Sequence, residues 1–113
     1  MHTATLTKAI EHNGPKPNIE VLFETDFTKE IRIAFKKGQQ MKEHKTPYPI
    51  VVEIFEGHIE FGVQGKKHTL QKGALIALDG GVPHDLTAIE NSIVRLTLST
   101  SDKVERVQKV NNQ

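Results

Sequence analysis

The sequence predicts an all-β protein, an antiparallel barrel of two sheets rolled together. Three observations carry that prediction. Apolar residues recur with a period of two, not the roughly 3.6 of a helix. The runs between breaks are short and rich in β-branched side chains. Each break carries Gly, Asn or Pro, the residues that tight turns require.

The elements follow in chain order. Residues 1–18, with Gly14-Pro15 and Pro17, form an arm or edge segment. IEVLFETD (19–26) adds an outer strand. In EIRIAFKKG, Ile31, Ile33 and Phe35 alternate with Arg32, Ala34 and Lys36, the pattern of a half-buried strand. IVVEIFEG (50–57) is mostly apolar on both faces and reads as a more central strand. HIEFGVQG (58–65) sets Ile59, Phe61 and Val63 on one side before a turn at Gln64-Gly65. KKHTL and ALIAL are short strands separated by Lys72-Gly73, and NSIVRLTLS (91–99) closes the series. In the tail, 101–113, Asp102 precedes Glu105 by three residues and Val104 shares a face with Val107, which predicts a short helix. The barrel itself spans 19–100.

Totals narrow the function. A chain of 113 residues makes one domain, and buries on the order of two-thirds of its unfolded surface. Lys plus Arg is 15 against 14 for Asp plus Glu, a net charge of +1 with scattered lysines. That is no electrostatic footprint for nucleic acid or an anionic membrane. Tryptophan is absent, which argues against stacking platforms for single strands. Cysteine is also absent, so disulfides, thiolate zinc sites and cysteine nucleophiles are excluded. The N-terminal stretch has no apolar signal-peptide region and no spanning segment. We expect a cytoplasmic protein.

Two segments share a spacing. Gly38 is followed after five residues by His44, then Thr46 and Ile50, then after six residues by Gly57. Downstream, Gly73 is followed after five residues by Asp79, then Gly81 and, after two residues, His84. These blocks resemble the two motifs of a small single-domain cupin of the conserved-barrel, RmlC-like type. The resemblance covers roughly residues 30 to 99 and implies a double-stranded β-helix, or jelly-roll, barrel. It also implies a homodimer, since small cupins commonly pair through an edge strand.

The resemblance locates a site and shows its departures. His44 and His84 match a histidine of each motif. Thr46 stands where a second histidine belongs, Ile50 where a carboxylate belongs, Asp79 in place of proline and Ala88 in place of asparagine. The family's motifs place imidazoles and a carboxylate in one lumen, a donor set suited to a transition metal. Here two uncharged ligands remain, His44 and His84, which implies at most a weakly held divalent transition metal. Glu53 is no substitute, since strand parity turns it away from Ile50.

Strand parity lines the lumen with His44, Thr46, Ile50, Val52, Ile54, His84 and Leu86, with Leu96 nearby. The leading expectation is therefore a small-molecule-binding protein with a mostly apolar lumen and two inward histidines able to donate, accept and shuttle protons. One alternative is a metal-dependent oxygenase or isomerase, as in many cupins. Related metal-free barrels use a histidine base for sugar epimerisation, but no inward acidic partner is evident in this sequence. The other alternative is a non-catalytic sensory or structural barrel with a packed lumen. Gly80-Gly81-Val82-Pro83 precedes a strand and not a helix, so it reads as a lead-in that aims His84 and not as an anion cradle. His12, His58 and His68 are expected to face solvent, and His2 to lie in a loose terminus.

Overall fold

The computed structural model describes residues 1–100, so the expected C-terminal helix lies outside the described residues. Nine strands form among them: β1 (Asn18–Glu24), β2 (Thr28–Phe35), β3 (Gln40–His44), β4 (Ile50–Glu56), β5 (His58–Val63), β6 (Lys66–Gln71), β7 (Leu75–Leu78), β8 (His84–Ala88) and β9 (Ser92–Ser99). They pair in two antiparallel sheets, β1-β2-β9-β4-β7 and β3-β8-β5-β6. The predicted all-β barrel is the fold.

Alternation decides which face each strand buries. Ile33 and Phe35 of β2, Ile50, Val52 and Ile54 of β4 and Val94 of β9 meet Ile59 and Phe61 of β5 and Leu86 and Ala88 of β8 in one core. A fully buried side chain of the Val, Ile, Leu or Phe kind contributes about 1.5–3 kcal/mol over leaving it in water. β4 lies between β9 and β7, as its two-sided apolar character predicts. Glu53 is on its outer face, where its carboxylate accepts from Arg95 Nε at 2.7 Å.

Three glycines fix the connections between these strands. Gly57, at φ +95°, joins β4 to β5 so closely against Asn91 and Ser92 that a Cβ would collide with backbone. Gly80 packs on the carbonyl of Pro47, and Gly81 N–H donates to Thr46 O at 2.7 Å. The loop leading into β8 is thereby fastened to the loop leaving β3.

Arg32 corrects a simple reading of alternation. It lies on the outer face of its sheet, yet only 1% of it is exposed. The N-terminal arm covers it. Its guanidinium donates to the carbonyls of Lys8 at 2.7 Å and Ala9 at 3.3 Å, reaches those of Thr5 and Leu6 at 3.4 Å, and pairs with Glu20. A buried cation needs this many acceptors to offset its lost hydration. The arm's start is also placed, with His2 stacked on Phe23 at 5.8 Å.

Two further histidines differ from expectation. His68 is exposed, but His12 and His58 are half-buried, with His12 Nδ1 and His58 Nε2 sealed from water and unpartnered. Ser92 Oγ, tucked under the β4–β5 turn, accepts the backbone N–H of His58 at 2.9 Å. No helix among the described residues is long and apolar enough to cross a membrane.

Candidate functional site

The chemistry-bearing residues meet where β3 and β8 run side by side. His44 pairs directly with His84 across the ladder, while Met41 pairs with Leu86. Three steps on β3 therefore match two on β8, so β3 carries a one-residue bulge at Lys42-Glu43. The bulge lets both charged residues stay exposed and turns Met41 and His44 to the same side.

The two imidazoles are 4.4 Å apart, tilted by 60°. His84 is only 4% exposed, and Phe61 stacks on it nearly parallel, 5.7 Å away at 6°. Each ring is held by a carbonyl two residues earlier: His44 Nδ1 by Lys42 O at 2.8 Å and His84 Nδ1 by Val82 O at 2.9 Å. A carbonyl only accepts, so both Nδ1 atoms carry a proton and each neutral ring keeps its lone pair on Nε2. Neither Nε2 has a partner among the described residues, and neither is among their sealed unpartnered atoms. Both therefore face space that water reaches.

Burial, the largest effect, holds His84 below the ordinary imidazole range. The cation-repelling His44 ring adds to it, while the Val82 carbonyl and Asp85 carboxylate oppose it. Asp85 lies beside Gly62, so close that any Cβ there would meet its carboxylate.

The lumen around the pair is lined by Ile33, Met41, Val52, Leu86, Val94 and Leu96, and its volume is about 20 Å³. That is room for about one water. Among the expected lining residues, His44, Val52, His84 and Leu86 border this space, with Leu96 beside them. Ile50 and Ile54 are buried in the surrounding core. Thr46 lies past the end of β3, and its hydroxyl donates to Tyr48 O at 2.9 Å, so it is occupied in the loop. Parity missed Met41, Ile33 and Val94. The sequence marks the spot only by the consecutive charges Lys42 and Glu43, both of them exposed at the bulge.

The family model for the cupin domain matches residues 31–100. The chain belongs to the cupin family. This cupin is similar to an RmlC-like cupin from Desulfovibrio desulfuricans, with 22% identity, a TM-score of 0.80, and coverage of 88% of this chain and 96% of that one. An RmlC-like cupin from Shewanella frigidimarina gives 20% identity and a TM-score of 0.76, over 92% of this chain and 94% of the other. KdgF from Halomonas gives 18% identity and a TM-score of 0.73, over 84% and 90%. Likeness at this identity shows the fold alone. No curated protein matches the chain.

Cupins commonly hold a metal, and the residues of this lumen do not fit one. Among the described residues no three His, Cys, Asp or Glu side chains come together as a ligand set. The lumen supplies two neutral nitrogens, and thioether and hydrocarbon otherwise. Its polar chemistry is that of the two imidazoles.

Proposed function

We propose that this cupin binds a small organic molecule at the His44–His84 pair, with the two Nε2 atoms as its polar contacts and the apolar lumen wall as the rest. One observation carries the reading. Both rings have Nδ1 committed to a backbone carbonyl, so two neighbouring Nε2 lone pairs are left without protein partners among the described residues, beside an apolar wall. An apolar lining with a few convergent polar groups is the chemistry of small-molecule sites. At about 20 Å³ this one admits a ligand larger than a water only when the Met41 side chain swings aside. His44 is only half-buried and is the ring a ligand meets first.

The test uses His44→Asn with His84→Asn. The asparagine amide donates where Nδ1–H did, and nothing replaces Nε2. Small hydroxy, keto and aromatic fragments are screened by NMR against both proteins. Binders that shift the histidine ring signals and weaken at least about tenfold in the double variant support the reading, tenfold being about 1.4 kcal/mol. Binding indifferent to the substitution sinks it.

The cavity volume of about 20 Å³ favours a second reading, a packed lumen in which the pair serves the fold alone. In that case no fragment moves the ring signals, and the double variant changes only stability.

A further inference from the structure

Outside the lumen lies a larger groove, between the N-terminal arm and β3. Its volume is about 350 Å³, with Lys16, Pro17 and Ile19 lining it from the arm and β1, and Met41, Lys42 and His44 from β3. That size is at the lower end of small-molecule sites, roughly 300–1,000 Å³. Met41 and His44 also line the lumen, so they form the partition between the two spaces. An unbranched methionine with three rotatable bonds is a partition that moves readily.

The arm wall is fastened in place. Gln39 Nε2 donates to Gly14 O at 3.3 Å and Lys16 O at 3.2 Å, while its Oε1 accepts from Lys36 N–H at 2.8 Å. Ile19 faces the same side of its sheet as its neighbour Ile33, but it is 56% exposed where Ile33 is buried. The groove thus has an uncovered apolar floor.

Its charge is one-sided. Lys16 and Lys42 line it, and among the described residues no acidic side chain does. The ion pairs among the described residues use Lys29, Arg32, Lys67 and Arg95, and neither groove lysine. Glu43, next to Lys42, lines a different groove with Asp85 and Lys67.

The geometry points to a binding site in this groove for a small carboxylate-bearing molecule with an apolar body. The body lies on Pro17, Ile19 and Met41, and Lys16 and Lys42 select the carboxylate. This deepens the lumen reading at one end only, through the shared His44.

The probe is hexanoate, with hexanamide as its neutral counterpart, each titrated by NMR into the full chain. Hexanoate is expected to shift the backbone signals of Ile19, Met41 and Lys42 and to bind more tightly than hexanamide. Two lysines at exposed positions should give a preference of roughly three- to tenfold, in line with the modest worth of exposed ion pairs. Lys16→Gln with Lys42→Gln should abolish that preference and leave hexanamide binding unchanged. Equal binding of the two probes overturns the proposal, as does a preference that survives the double substitution. So does sedimentation showing a second copy over Ile19 together with no hexanoate shifts. If hexanoate binds the groove while no fragment of the lumen screen moves the His84 ring signals, the groove stands and the lumen reading fails.

Discussion

His44 and His84 are register partners on adjacent strands, and their rings approach to 4.4 Å because a bulge in β3 turns His44 to the side that His84 already occupies. Two imidazolium ions at that separation repel, and His84 is buried as well. His84 is therefore disposed to stay neutral.

The first prediction follows from the sign of that effect. Burial holds His84 below its ordinary value of about 6.5. Above that value both folded and unfolded chains carry a neutral ring, and this group adds no pH dependence. As pH falls below it, the unfolded chain takes the proton first, so stability drops until the folded value is reached. Denaturant midpoints at pH 7.5 and 5.5 should differ for the wild type and differ less for His84→Asn. Equal slopes in the two proteins would contradict the assignment. The other charges facing the ring are His44 and Asp85, so Asp85→Asn, which removes an opposing effect, should steepen the slope.

Phe61 is fully buried and stacks on His84. Phe61→Ala should cost about 3–5 kcal/mol, a large share of a small domain's total stability. Phe61→Leu keeps most of the volume and should cost less, while releasing the face of the His84 ring. A leucine variant whose His84 ring signals match the wild type would show that the stack does not position the imidazole.

Arg32 ties the arm to the sheet through carbonyls of four arm residues. Arg32→Ala should free residues 5–9 to rapid hydrogen exchange and early proteolysis, at a cost of about 3–5 kcal/mol for breaking a buried ionic network. Glu20 is half-exposed, so Glu20→Gln should cost no more than about 1 kcal/mol. An arm still protected from exchange in Arg32→Ala would mean that Arg32 is not what holds it, and that other ties such as those of Gln39 to Gly14 and Lys16 suffice.

The period-two pattern made the strands legible because each inward position is apolar for the same reason it is buried. Ile50, Val52 and Ile54 show this on β4, and Ile59 and Phe61 on β5. The meeting of His44 and His84 was legible in the spacing, and that of their neighbours less so. A one-residue bulge inverts parity across it, which moved Met41 in, and β3 ends at His44, which leaves Thr46 in the loop. Ile33 and Val94 come from the opposite sheet, whose angle to the pair no spacing encodes. Arg32 sits on an outer face that alternation marks as wet, and only the folded arm makes it dry.

The metal chemistry expected of the family gives the last prediction. Two neutral imidazoles can hold a divalent ion, but no carboxylate among the described residues joins them as a ligand set, and a metal site loses about 10- to 100-fold in affinity for even an outer partner removed. Chelator should therefore leave the thermal midpoint of the purified protein unchanged. Added Zn²⁺ should raise it only at high concentration, since the gain grows as the logarithm of metal over dissociation constant. That gain should vanish in His44→Asn with His84→Asn and fade as the pH is lowered, since protons compete with metal for Nε2. Because the chain carries six histidines, the double variant separates the lumen from adventitious binding elsewhere. A midpoint that falls on adding chelator would mean that this lumen finds ligands beyond its two rings.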